Sequence, residues 1–297
     1  VTAARRLLLC LMLLPAMGLP AEKPVVLVVT ADASDYLLSA GGTIAGMIDQ
    51  GAVVYLVRVT NDEKDSYDLS PEETARRTRA ESEAAAHILG IKEVISLGYR
   101  AAELADVSFT DIRDRLIFYI RLYKPRVLFI PNPYTHYDRV LDRYYTGWAA
   151  EDAWRSAAFE NFQPAFAEAG LKPHQTPELY YYAQPFDPAR REAESTPTFV
   201  PELKIVDIAA TLPRKTKALE ALRTVNYSMA RRLKDRLTST GRRLPLLDTL
   251  DDRAVSALVE KNVEGLAAIA AQGTNYRAAE EFHYAGLHFR IPSKYLQ

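Results

Sequence analysis

The 297-residue chain has a single cysteine, Cys10. One thiol builds no intrachain disulfide framework and no thiolate metal cluster. Cys10 also lies in an N-terminal stretch expected to be removed, which excludes a cysteine nucleophile. Neither sign of charge is in excess. With 37 Lys and Arg against 38 Asp and Glu, the net charge is -1, which gives no electrostatic footing for nucleic acid or an anionic membrane surface. Long apolar runs are scarce: the longest extends from Leu7 to about Leu19, short of the roughly 20 residues that cross a bilayer. Histidine is sparse too, five in all, and only His136 falls at an expected strand end among polar neighbours. The chain shows no internal repeat and no low-complexity linker; Asp187 to Pro201 is the expected flexible excursion.

What is present begins with Arg5 and Arg6, then the apolar run, then the small residues Gly18 and Ala21. This three-part layout reads as a signal peptide over residues 1–21, cleaved near Gly18 or Ala21, with an uncleaved anchor as the alternative. The mature protein is then expected to be secreted or periplasmic, free of cysteine and without a membrane span. Hydrophobic residues at 48% and charged residues at 25% allow a sizeable core. Residues 22–297 read as one domain, with a core over about 24–185 and a C-terminal extension over about 200–297.

Short β-branched runs alternate with amphipathic stretches. Val25 to Val29 reads as a strand covered on both faces, Val53 to Thr60 and Glu93 to Gly98 as strands, and Arg126 to Pro131 as a further buried strand. Helices are expected between them: one after Ala40 closed by Gly51, one opened by Ser70, Pro71 and Glu73 and running to Gly90, and one from Phe109 stopped by Pro125. The pattern predicts an α/β fold: a Rossmann-like parallel sheet with helices on both faces and a C-terminal elaboration. Further on, Gly147 to Phe159 reads as a helix, and Pro177 to Gln184 and Leu203 to Ala210 as strands. Lys215 to Leu237 reads as one long basic helix, and Glu280 to Pro292 as an irregular aromatic tail.

Ligands of such sheets bind outside the carboxyl ends of the strands. Two loops fall there. The first, Thr30 to Tyr36, carries Asp32, Ser34 and Asp35. Two carboxylates three residues apart hold a cation or an arginine between them, or else repel; the plainer alternative is that Asp35 or Ser34 caps a helix. The second loop, Asn132 to Arg139, carries Tyr134, His136, Asp138 and Arg139. An imidazole oriented by a carboxylate serves as acid, base or oxyanion donor; the alternative is a solvated surface loop.

These motifs resemble the LmbE/PIG-L family of N-acetylglucosaminyl de-N-acetylases. The family's AHPDDE…GGT frame stands here as Ala31 to Tyr36 and Gly41 to Thr43. Its RRAE…AA..LG helix is similar to Thr78 to Gly90, and its PN…Y.HPDH stretch to Pro131 to Arg139. Its lysine-rich helix is similar to Lys215 to Val225, although Leu222, Thr224 and Val225 replace the H.SQ element that ends it. The resemblance implies metal-dependent hydrolysis of the acetamide of an N-acetylglucosamine conjugate, an N-acetylhexosamine-containing small molecule or glycan as partner, and zinc as cofactor. By position, Asp32 stands where the family has a zinc histidine, Asp35 keeps a zinc aspartate, and Arg139 replaces the third ligand. Ser34 stands where the family has its general base. His136, Asp138 and Tyr134 keep the groups that polarise the substrate.

An arginine has no lone pair to give a metal and stays protonated. Zinc is therefore expected to be absent or weakly held, and catalysis impaired. Arg139 is expected to lie between Asp32 and Asp35 in the metal's place. Two other arrangements stay open: a metal held by Asp32, Asp35 and His136, and Ser34 as a nucleophile with His136 as its base. A non-catalytic glycan- or protein-binding role is the alternative to an enzyme.

Overall fold

The computed structural model describes residues 23–134, 140–185 and 202–285. Strands β1 (Val25–Thr30), β2 (Val53–Thr60), β3 (Glu93–Tyr99), β4 (Val127–Pro131), β5 (Glu178–Tyr182), β6 (Glu202–Asp207) and β7 (Ala279–Ala285) form one sheet. Its order is β3-β2-β1-β4-β5-β7-β6. β3, β2, β1, β4 and β5 pair in parallel, whereas β7 runs antiparallel to both its neighbours. The chain moves outward from β1 through β2 to β3, then crosses back to place β4 on the other side of β1. The ends of β1 and β4 thus flank the point where strand order reverses, where a crevice forms between diverging loops.

The helices are α1 (Asp35–Asp49), α2 (Pro71–Leu89), α3 (Phe109–Tyr123), α4 (Leu141–Ser156), α5 (Pro164–Glu168), α6 (Leu212–Glu220), α7 (Arg223–Ser239) and α8 (Asp252–Ala271). Side chains alternate across each strand, and two cores result. Val26, Val28, Leu56, Phe129 and Phe282 pack with α1, α2, α6 and α8 on one face. Leu27, Val29, Val59, Leu128 and Ile130 pack with α3 and α4 on the other. Both faces are covered, as the continuous β-branched runs require.

Several expectations meet a different outcome. The basic stretch expected as one helix is two, α6 and α7. Leu222, with ψ near 58°, interrupts it. The Asn226 amide donates to the Leu219 carbonyl at 2.7 Å, and the Thr224 N–H donates to Glu81 at 3.0 Å instead of into a helical ladder. The tail expected to be irregular contributes β7: Glu280 and Phe282 alternate inward, and the strand closes onto β5 and β6. The helix expected from Gly147 starts six residues earlier, at Leu141.

β7 also reaches into α1. The Glu280 carboxylate accepts from the amides of Gly42 and Thr43, both at 2.8 Å. Lys215 donates to Glu280 at 2.8 Å and to the Leu38 carbonyl at 2.7 Å. Both side chains are almost wholly buried, at 1% and 2% exposure. The pair adds a buried charged brace to the middle of α1, touching the Leu38 carbonyl and the Gly42 amide. Gly42 is needed here because a Cβ would lie 2.8 Å from Ile208 Cβ.

Candidate active site

The site is built on three loops at the carboxyl ends of the strands. After β1, the Thr30 hydroxyl donates to the Asp32 carbonyl at 2.8 Å, which turns the chain. The Asp32 carboxylate then accepts from the amides of Ser34 and Asp35, each at 2.9 Å, and from the Ser34 hydroxyl at 2.7 Å, all on Oδ1. Asp32 itself therefore satisfies the first amides of α1, and its negative charge sits at the positive end of the helix dipole.

The other oxygen of Asp32 faces a cation. Arg143, from the first turn of α4, places Nε 2.9 Å from Asp32 Oδ2 and 3.3 Å from Asp35 Oδ1. Asp35 is 2% exposed at its side chain and Arg143 13%, so the interaction is screened little by solvent. Burial pushes the Asp32 carboxyl up, but the Arg143 charge and the Ser34 and Arg143 hydrogen bonds outweigh it and hold the group below the usual range.

Two contacts bring Arg143 there. Asp142 accepts from the amides of Ala102 at 2.6 Å and Leu104 at 3.3 Å, tying the start of α4 to the loop after β3. Gly147 lets α4 press on the end of β4: a Cβ there would lie 2.3 Å from the Pro131 carbonyl oxygen.

Beneath the first loop lies a second buried pair. Arg58 Nη1 is 3.2 Å from Asp62 Oδ2, and the same oxygen accepts from the Ala33 amide at 3.2 Å. Burial pushes Asp62 up to about 7; Arg58 pulls it down, and the charges of Asp32 and Asp65 add to the rise. Burial and the Asp32 charge likewise raise Asp65 to about 6. The Arg232 and Arg143 charges pull Asp65 the other way.

Asp35, Pro131, Asn132, Arg143, Tyr144, Tyr182 and Ala183 line a narrow crevice. The Tyr182 hydroxyl donates to the Val29 carbonyl at 2.8 Å, and burial together with the Asp35 charge holds it well above the ordinary range for a phenol.

Of the residues expected from sequence, Asp32, Ser34 and Asp35 come together. Ser34 gives its hydroxyl proton to Asp32. Tyr134 is 58% exposed; its hydroxyl donates to Glu151 at 2.6 Å and is not part of the crevice lining. Burial and the Glu151 hydrogen bond push it up to about 12. His136, Asp138 and Arg139 lie outside the described residues, and with them the two arrangements that call on His136. The guanidinium between the two aspartates belongs to Arg143, four residues beyond the expected Arg139. Arg143, Asp62 and Asp65 were not anticipated. The only cue to Arg143 is its place four residues, about one helical turn, after Arg139.

Zinc does not fit the described residues. Among them no three His, Cys, Asp or Glu side chains meet where one ion would be held, and the cation between Asp32 and Asp35 is a guanidinium with no lone pair to offer.

Residues 27–142 match the family model described as PIG-L: GlcNAc-PI de-N-acetylase. That stretch is similar to the PIG-L family. The match runs from β1 to Asp142, one residue short of Arg143. A diacetylchitobiose deacetylase of Thermococcus kodakarensis is 29% identical over 159 residues, spanning 53% of this chain and 59% of that protein; the match thus reaches about three fifths of the length of that curated relative. The structure of the N,N'-diacetylchitobiose deacetylase of Pyrococcus horikoshii, complexed with its inhibitor, superimposes with a TM-score of 0.69 at 25% identity, covering 92% of this chain and 88% of that one. GalB, a 4-carboxy-2-hydroxymuconate hydratase of Pseudomonas putida, shares the fold at a TM-score of 0.57 and 20% identity, covering 88% of this chain and 96% of that one. Fold alone does not decide the function, and the site must.

Proposed function

We propose that this protein recognises N-acetylated glucosamine conjugates at the ends of β1 and β4, and that its capacity to hydrolyse their acetamide is impaired. The family match and the two diacetylchitobiose deacetylases support the substrate class. One observation carries the impairment: the Arg143 guanidinium bridges Asp32 and Asp35. Hydrolysis of an acetamide consumes water and releases acetate and an amine. It needs a base for the water and an electrophile for the carbonyl. Ser34 is spent as a donor to Asp32, and a hydroxyl takes no proton from water without a base of its own. Arg143 retains a positive charge on the crevice wall, enough to attract a carbonyl oxygen but unable to lower the pKa of a water molecule bound to it.

The same contact favours a second reading, a non-catalytic protein that binds a glycan or a protein partner. Turnover separates the two. Residues 22–297 would be exposed to excess zinc, desalted and analysed for metal, then assayed for acetate release from N,N'-diacetylchitobiose. The expected result is far less than one zinc per chain and acetate release at or slightly above background. Near-stoichiometric zinc with sustained turnover refutes the impairment. No turnover at all, with sugar binding intact, selects the non-catalytic reading. We also propose that the chain acts outside the cytoplasm, on the strength of the signal-like residues 1–21; N-terminal sequencing of the protein from fractionated cells tests this.

A further inference from the structure

A second cavity lies on the far side of the loop that follows β2. That loop, residues 61–70, has two flanks. Asp62 faces the turn that carries Asp32: its carboxylate accepts from the Ala33 amide at 3.2 Å, and the Asp65 amide donates to the Asp62 carbonyl at 3.1 Å. Ser66 and Asp68 face a cleft of about 520 Å³ between the loop, α2 and the start of α7, within the range of about 300–1,000 Å³ usual for small-molecule sites. The same loop thus runs from the Asp32 turn, which it touches at Ala33, to the cleft, which it lines at Ser66, Asp68 and Leu69. The loop is fastened to α7: the Tyr67 amide donates to Ser228 at 3.4 Å, and Arg231 pairs with Asp68 at 2.5 Å.

The lining selects a class of ligand. Its apolar side chains, Leu69 and Tyr227, stand among charged and hydroxyl-bearing residues, which suits an amphipathic ring better than a lipid tail. Its arginines are already paired, Arg77 with Glu73 at 2.6 Å and Arg223 with Asp252 at 2.5 Å, which leaves little attraction for a phosphate or a carboxylate. Glu81 differs: its carboxylate is held by neutral donors, the Thr224 hydroxyl at 2.7 Å and the Thr224 amide at 3.0 Å. It is thereby a preset acceptor. The Ser66 hydroxyl accepts from the Asp68 and Leu69 amides at 3.3 and 3.2 Å, which leaves its proton to donate. Tyr227 is 39% exposed beside them. A fixed acceptor, a hydroxyl donor and an exposed aromatic face suit a neutral ring bearing several hydroxyl groups.

We propose that this cleft is a saccharide subsite, holding a sugar ring further along the conjugate whose N-acetylated unit meets the crevice. This rests on the substrate class proposed above.

The test is a binding titration of the full mature chain with N-acetylglucosamine and with N-acetylated chitotetraose, followed by calorimetry and by saturation-transfer NMR. Tyr227→Ala is expected to weaken chitotetraose binding about tenfold, the upper end for loss of an aromatic contact, and to leave the monosaccharide within twofold. Tyr227→Phe, which keeps the ring, is expected to bind as the parent does. Glu81→Gln is expected to weaken the tetrasaccharide in the same selective way. If the parent binds chitotetraose and both Tyr227→Ala and Glu81→Gln bind it equally well, the subsite is overturned and the substrate class stands. If the parent binds neither sugar, the substrate class itself is overturned, and the subsite with it.

Discussion

Replacing Arg143 by alanine removes the cation shared by Asp32 and Asp35, and the size of the loss follows from the geometry. At an effective dielectric of about 20, unit charges at these separations attract by about 5 kcal/mol per pair. Desolvation of the three groups offsets much of this. What the variant loses is the difference between a compensated and an uncompensated buried charge, about 3–5 kcal/mol. The expected outcome is a fall of that size in unfolding free energy at pH 7, read from the urea midpoint at unchanged m-value. The sign of the pH dependence adds a second check. In the parent, Asp32 titrates below its unfolded value, so its contribution is present above about pH 4 and is lost as pH falls through the folded pKa. The variant lacks that contribution, so the gap between the two proteins narrows as the pH is lowered below about 4. A loss under about 1 kcal/mol, or a gap independent of pH, refutes the claim that Arg143 neutralises this pair.

Three further outcomes are expected. Asp65 carries a raised pKa of about 6, so the folded state binds more protons than the unfolded one between about pH 4 and 6, and stability falls across that window as pH rises; Asp65→Asn should flatten the profile, as read by thermal melts at stepped pH. Lys215→Met strands the Glu280 carboxylate inside the protein and should cost about 3–5 kcal/mol by urea denaturation, with Lys215→Arg less damaging. Gly147→Ala drives a Cβ against the Pro131 carbonyl at 2.3 Å, backbone against backbone; a loss of about 3 kcal/mol is expected, together with a shift of Arg143 visible in a crystal structure of the variant.

Much of the fold was legible because its central strands, β1, β2 and β4, are largely buried and therefore apolar throughout. β2 was bounded at Val53 and Thr60 from its β-branched run alone. The Ser70 cap of α2 was readable from its Ser-Pro-x-Glu pattern, and its hydroxyl does accept from the Glu73 amide, at 3.3 Å. The failures share a cause, which is that distant residues decide local structure. Nothing near Leu222 marks a break; Glu81, 143 residues away in sequence from Thr224, provides the partner that ends the helix. β7 looks like an aromatic tail until β5 and β6 supply its hydrogen-bond partners. At the site, Asp32 and Asp35 stood out by their spacing. Asp62 was hidden in a polar loop, and only the buried Arg58 beneath it shows that it is not a surface residue. Arg143 was missed because the first turns of α4 mix charged and aromatic residues without a clear apolar stripe, so the helix was read as starting at Gly147.

The Lys215–Glu280 ion pair ties Leu38 and Gly42 of α1 to residues beyond the end of the family match at 142. The helix that begins at the Asp32 loop is thus braced from a strand 238 residues further along. The matched stretch, residues 27–142, leaves that brace out, and a fragment cut there is expected to expose the amides of Gly42 and Thr43 to water and to hold the Asp32 turn less firmly.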